Sequence, residues 1–200
     1  NGPNAAICVG SSGTDAPTIS IVQSAISNMA GPAITTDSAG GDGKLTADGV
    51  ALTGNGRGIT WYSSSAASSL DLSNVTITGN TYGGLEMDGG TLHLRSSSVS
   101  NNGAEGGVTL YSSSSGAFDL GSAASPGANI FVGNTGAGLN AVVTAGRTVS
   151  AVGNTWIANQ QGADANGFYS TAPPYTPVLK AGPVNSGVNF RIYNAATLAL

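Results

Sequence analysis

The chain has 200 residues, of which 31 are glycine and only 8% are charged, with a formal net charge of −4 and 6% aromatics. A hydrophobic share of 40% and a mean hydropathy of +0.10 exclude a disordered chain, which combines low hydropathy with high charge. Six Lys and Arg against ten Asp and Glu exclude a basic nucleic-acid binder, and the scarcity of Glu, Lys and Leu excludes a helical bundle.

The first residues do not form a basic-then-apolar signal peptide, and Asn1 reads as a mature or trimmed N-terminus. The single Cys8 has no internal partner; in Ala6-Ile7-Cys8-Val9 it reads as a small buried residue. Residues 1–44 read as an N-terminal cap and first coils. The segment from Pro17 to Ala30 supplies the first full coil, with a short helical turn ahead of it. No apolar run approaches the roughly 20 residues that a membrane span needs.

Residues 45–155 carry a ragged repeat. Leu52-Thr53-Gly54-Asn55, Ile77-Thr78-Gly79-Asn80 and Val99-Ser100-Asn101-Asn102 align, followed by Val132-Gly133-Asn134 and Val152-Gly153-Asn154. Ile26-Ser27-Asn28 fits one residue out of register. Asn spacings of 25, 22, 32 and 20 suit one turn of a β-solenoid, not a helical repeat. Before each Asn lie apolar pairs two residues apart: Leu45 and Ala47, Leu70 and Leu72, Leu92 and Leu94. After it come Ile59 and Trp61, Leu85 and Met87, Val108 and Leu110, Leu139 and Ala141. That alternation marks strands with one buried face, about three per repeat. The pattern predicts an all-β parallel β-helix of six or seven coils. The aligned Asn residues are expected at a bend, in left-handed backbone, with their amides laddering from coil to coil. From Trp156 the pattern changes, and residues 156–200, rich in aromatics and proline, read as a C-terminal cap and closing coil of the same single domain.

Val75-Thr76-Ile77-Thr78-Gly79-Asn80 with Gly83-Gly84-Leu85, repeated along 45–155, resembles right-handed parallel β-helix proteins of the pectin-lyase-like and NosD-like kind. Gly153-Asn154-Thr155-Trp156 with Gln161-Gly162-Ala163-Asp164 looks like secreted bacterial β-helix proteins of uncharacterised function. The resemblance covers most of the chain and implies the fold. Pectin-lyase-like enzymes use dense Asp clusters for Ca²⁺ or paired Asp for hydrolysis. This chain has no matching cluster, so no catalytic residue is carried over.

Three sets of outward residues stand out. Asp71, His93 and Asp119 occupy one slot in successive coils and would stack about 4.8 Å apart. They read as a surface charge ladder, with an imidazolium between two carboxylates; as an acid/base or metal set they are incomplete. Tyr62 and Tyr111, two coils apart with Asp88 between, form a ridge on which sugar rings can stack, or shield a corner. Thr53, Thr76, Thr78, Ser98 and Ser100 line one flat strand face, the arrangement that ice-binding solenoids use. Glu86 points outward in the slot of Thr60 and Thr109, and Glu105 lies in a loop; they share no slot, so no glycosidase pair is expected. Arg57, Arg95 and Arg147 are scattered. No cofactor or metal is implied.

The expectation is an extracellular or cell-surface, non-enzymatic β-helix serving as a structural or adhesive module, its partner a polysaccharide or cell-surface component. The alternatives are a carbohydrate-binding or carbohydrate-active protein and an ice-binding solenoid.

Overall fold

A computed structural model describes residues 5–10, 16–36, 42–112, 117–143, 148–159, 178–180, 190–192 and 197–199. The strand β1 (Ile7–Val9) precedes the first coil, which comprises β2 (Thr18–Val22), β3 (Ala25–Ser27) and β4 (Pro32–Thr36). The next two coils are β5 (Lys44–Asp48), β6 (Ala51–Thr53), β7 (Arg57–Tyr62) and β8 (Ser69–Ser73), β9 (Thr76–Thr78), β10 (Gly83–Asp88). There follow β11 (Thr91–Arg95), β12 (Ser98–Ser100), β13 (Gly106–Ser112), then β14 (Phe118–Asp119), β15 (Ile130–Val132) and β16 (Leu139–Val143). The last are β17 (Thr148–Ser150), β18 (Thr155–Ile157), β19 (Val178–Lys180), β20 (Phe190–Ile192) and β21 (Thr197–Ala199).

Each turn gives one strand to each of three sheets. Sheet A runs β1-β4-β7-β10-β13-β16-β20-β19, sheet B β2-β5-β8-β11-β14-β17-β21, and sheet C β3-β6-β9-β12-β15-β18. The chain is therefore an all-β parallel β-solenoid. From β3 to β18 it completes five turns, fewer than the six or seven that the repeat count predicts. The described residues contain no helix, and hence none that is long and apolar enough to cross a membrane; no helical turn precedes the first coil there. At the far end β19 pairs antiparallel with β20, a departure from the parallel stacking that covers one sheet edge. Most of the expected cap, including Gln161 to Asp164, lies outside the described residues.

The inward pairs account for the stacking. Leu45, Leu70, Leu92 and Phe118 meet in register in sheet B, and Ile59, Leu85, Val108 and Leu139 in sheet A, all buried. Sheet C contributes Leu52, Ile77, Val99, Phe131 and Trp156. This last column widens from aliphatic to aromatic, and the Phe131 and Trp156 rings stack 4.1 Å apart. Full burial of each such side chain contributes roughly 1.5–3 kcal/mol. In β1, Val9 is buried and Cys8 exposed: strand alternation turns the cysteine outward, correcting its expected burial.

Two features shape the corner between sheets C and A. Gly58, Gly84, Gly107 and Gly138 are buried there, and a Cβ on Gly58 would lie against the Gly84 carbonyl and 2.5 Å from Ile77 Cγ2. Only glycine permits that approach. The second feature is an asparagine ladder. The Oδ1 atoms of Asn55, Asn80, Asn102, Asn134 and Asn159 accept the backbone N–H of Met29, Asn55, Asn80, Asn102 and Asn134 in turn, at 2.9–3.3 Å. The ladder forms as expected, with two corrections. The left-handed backbone belongs to the residue before each rung (Gly54, Gly79, Asn101, Gly133 and Ala158), whose turn aims the next side chain inward, and to Asn28 before the Met29 that ends the ladder. The rung after Asn134 is Asn159, not Asn154, which sits at the corner between sheets B and C. There the Oδ1 atoms of Asn154 and Asn129 accept from Asn129 and Ser97, and Ser97 Oγ accepts from Val75, each at 3.0 Å.

Candidate functional site

Where Ile59 and Trp61, Leu85 and Met87, and Val108 and Leu110 point inward, the intervening residues of sheet A point out. Thr60, Glu86 and Thr109 form one column, continued by Asn140; Tyr62, Asp88 and Tyr111 form the next. Tyr62 and Tyr111 thus flank Asp88 two strand spacings apart, about 10 Å. Thr60, Thr109 and Asn140 are only 7%, 5% and 2% exposed although they face away from the core, whereas Tyr62 is 39% exposed.

Arg57 opens β7 in register with Gly83 of β10 and Gly106 of β13. The two glycines leave the guanidinium a clear path across two strands to Glu105. Its Nε donates to Glu105 Oε2 at 2.7 Å, and Nη2 donates to Oε1. The same Nε lies 3.2 Å from Glu86 Oε2, while Tyr62 Oη donates to Glu86 Oε1 at 2.8 Å. The guanidinium also lies over the exposed Tyr82 ring, 5.5 Å from its centroid. The Glu105 hydrogen bond raises the Arg57 pKa, with burial opposing; burial first, and then the bond to Glu86, raises that of the Tyr62 phenol. Beside these groups is a cavity of about 200 Å³, lined by Arg57, Leu85, Glu86, Glu105, Thr109 and Tyr111. Thr60 Oγ1, Glu86 Oε2, Asp88 Oδ1 and Asn140 Oδ1 are buried and make no hydrogen bond among the described residues.

Register counting placed Tyr62, Asp88, Tyr111 and Glu86 but missed the convergence of Glu86 and Glu105. Glu105 is 48 residues from Arg57 and reaches it from a turn, where strand counting gives no direction. The only available signal was the pair of glycines in the Arg57 slot.

Asp71, His93 and Asp119 stack in register on the outer face of sheet B. Asp119 makes its closest ion pair with Arg95 Nη2 at 2.6 Å; His93 Nδ1 is 3.7 Å away. Burial pushes the Asp119 pKa up. The Arg95 hydrogen bond, the Gly121 N–H and the charges of Arg95 and His93 together outweigh it and hold the carboxyl below its ordinary value. Among the described residues no three His, Cys, Asp or Glu gather as a metal set. On sheet C the outward ranks are Ala25, Ala51, Thr76, Ser98, Ile130, Thr155 and Ser27, Thr53, Thr78, Ser100, Val132, Ile157. The face carries no charge. Ser100 Oγ donates to Thr78 Oγ1 at 2.9 Å, and the hydroxyls give way to Ile130 and Ile157, 45% and 42% exposed. Arg147 lies outside the described residues.

Compared with protein-family models, curated proteins and solved structures, the chain has no match. Of the expected likeness to pectin-lyase-like and NosD-like proteins, the structure shows the parallel β-solenoid.

Proposed function

We propose that this chain is a non-enzymatic adhesive module, displayed outside the cell or at its surface, that holds carbohydrate against the outer face of sheet A. The observation that carries this reading is the row Tyr62–Asp88–Tyr111 beside the Arg57–Glu86–Glu105 cavity. Two aromatic faces about 10 Å apart, with polar groups between them, suit successive sugar rings. The placement of Arg57 between Glu86 and Glu105 supports binding over hydrolysis, because a glycosidase needs its substrate, not a guanidinium, between the two carboxyls. A low-charge surface rich in Gly, Ser, Thr and Asn suits an extracellular setting. The test is a glycan array with wild type, Tyr62→Ala and Tyr111→Ala. Wild type is expected to retain glycans that both variants lose, and equal binding by all three rejects the assignment.

A second reading rests on sheet C, whose charge-free outer face spans six strands and includes Thr53, Thr76, Thr78 and Ser98. If that face meets ice, wild type slows ice growth and Thr78→Lys does not; no effect of wild type removes this reading.

A further inference from the structure

We infer that the cavity on sheet A selects a protonated amino sugar over neutral and acidic sugars. The inference rests on the carbohydrate reading above and adds the chemical class of the ligand. Glu86 and Glu105 line the cavity, Asp88 lies two residues from Glu86 on the same outer face, and Arg57 is the cation that pairs with acids there among the described residues. Two lining carboxylates against one guanidinium leave an excess of negative charge, to which Asp88 beyond the lining adds. The unsatisfied atoms have the same character. Asp88 Oδ1 and Asn140 Oδ1 are acceptors, Glu86 Oε2 has its ion pair with Arg57 but no hydrogen bond, and the Thr60 hydroxyl, on a residue 7% exposed, stands one strand from Glu86 in the same column. Buried acceptors are costly until a donor reaches them, and a charged N–H donor forms the stronger bond.

The ligand's shape follows from the neighbours. Tyr62 and Tyr111 bracket Asp88 on the rim, so a ring stacked on either tyrosine directs an equatorial amine at the acids. A cavity of about 200 Å³ admits one amine-bearing substituent and its ring edge, not a whole oligosaccharide. A uronate in the cavity would set its carboxylate against Glu86 and Glu105, which like charges oppose. N-acetylation removes the positive charge and adds bulk where the acids stand.

The test is calorimetric titration of the full chain at fixed salt and a pH at which the amine is protonated. The probes are a β-1,4-linked glucosamine trimer, its N-acetylated counterpart, a galacturonate trimer and trilysine. Wild type is expected to prefer the glucosamine trimer over its acetylated form by about tenfold, the factor of one charge-assisted hydrogen bond. Glu86→Gln and Glu105→Gln should each shrink that ratio to below about threefold, and added salt should weaken the preference. Equal or stronger binding of the acetylated or galacturonate trimer overturns the inference while leaving the carbohydrate reading intact. Binding of trilysine as tight as the glucosamine trimer overturns it too, because the ligand is then a cationic peptide. No binding of any sugar by wild type overturns both. The wild-type comparison is decisive even if a variant does not fold.

Discussion

Replacing Asn80 with alanine removes one rung from the middle of the corner ladder. The Asn80 side chain takes part in three bonds: Oδ1 accepts the Asn55 N–H at 2.9 Å, and Nδ2 donates to Asn102 Oδ1 at 2.9 Å and to the Leu52 carbonyl at 3.2 Å. Asn55 is fully buried, so its N–H would be stranded, a penalty of roughly 1–3 kcal/mol. The two donated bonds contribute roughly 1 kcal/mol each. Asn80→Ala should therefore lose about 3–5 kcal/mol, lowering the melting temperature by roughly 10 °C in a chain of this size. Urea unfolding followed by far-ultraviolet circular dichroism measures the loss. Asn101→Gly is the control: it changes an exposed left-handed residue beside the ladder to the type that prefers that backbone, and should shift stability by less than about 0.5 kcal/mol. A loss below about 0.5 kcal/mol for Asn80→Ala, or equal losses for both variants, refutes the ladder as a source of stability.

Ile77→Ala, at a fully buried position of sheet C, should cost roughly 2–5 kcal/mol, against a change within about 0.5 kcal/mol for the exposed Thr76→Ala; similar losses would place the core elsewhere. Gly84→Ala would drive a methyl against the Gly107 carbonyl and to 3.0 Å from Val99 Cγ1, so roughly 1–3 kcal/mol should be lost in the same unfolding assay; an unchanged midpoint would show that the corner can relax. Because the folded Asp119 pKa lies below its unfolded value near 3.9, its contribution is fully present above that pH and lost as pH falls through the folded value. Arg95→Ala should cost under about 1 kcal/mol at neutral pH and shrink the loss of stability on acidification below about pH 4; an acid limb identical to wild type would deny the pairing.

The core was legible because a strand writes its burial in every second residue. Leu70 and Leu72, Leu92 and Leu94, and Leu85 and Met87 all face inward as their alternation requires. The same counting aligned Asp71 with His93 and Tyr62 with Asp88, since outward slots inherit the register of inward ones. It failed where coil length changes at corners. Ten residues separate β14 from β15, where earlier sheet B to sheet C turns have two, and beyond that insertion Val152-Gly153-Asn154 imitates Val132-Gly133-Asn134. Similar triplets end in Asn at two corners, because both need an amide to hold a buried N–H, and one sequence cannot say which corner it serves. Arg57 and Glu105 were hidden for a related reason: a long side chain can cross two strands, and register describes only what lies directly above or below.

The asparagine ladder also bears on where the chain can change length. Both corners of sheet C carry rungs of side-chain amides or hydroxyls that tie coil to coil, from Met29 to Asn159 at one and from Val75 to Asn154 at the other. Among the described residues the passage from sheet A to sheet B shows no such repeating series, only Ser68, whose Oγ accepts from Trp61 Nε1 and donates to the Gly43 carbonyl, and it spans six residues after β7 but only two after β10. Extra residues there would bulge outward without shifting any rung, whereas one residue added between Gly54 and Gly58 would displace an amide from its partner and push a glycine out of its slot. Loops grafted between Ser63 and Ser68 are therefore the natural route to new surface on this solenoid, and they would emerge beside Tyr62, at the rim of the sheet A cavity.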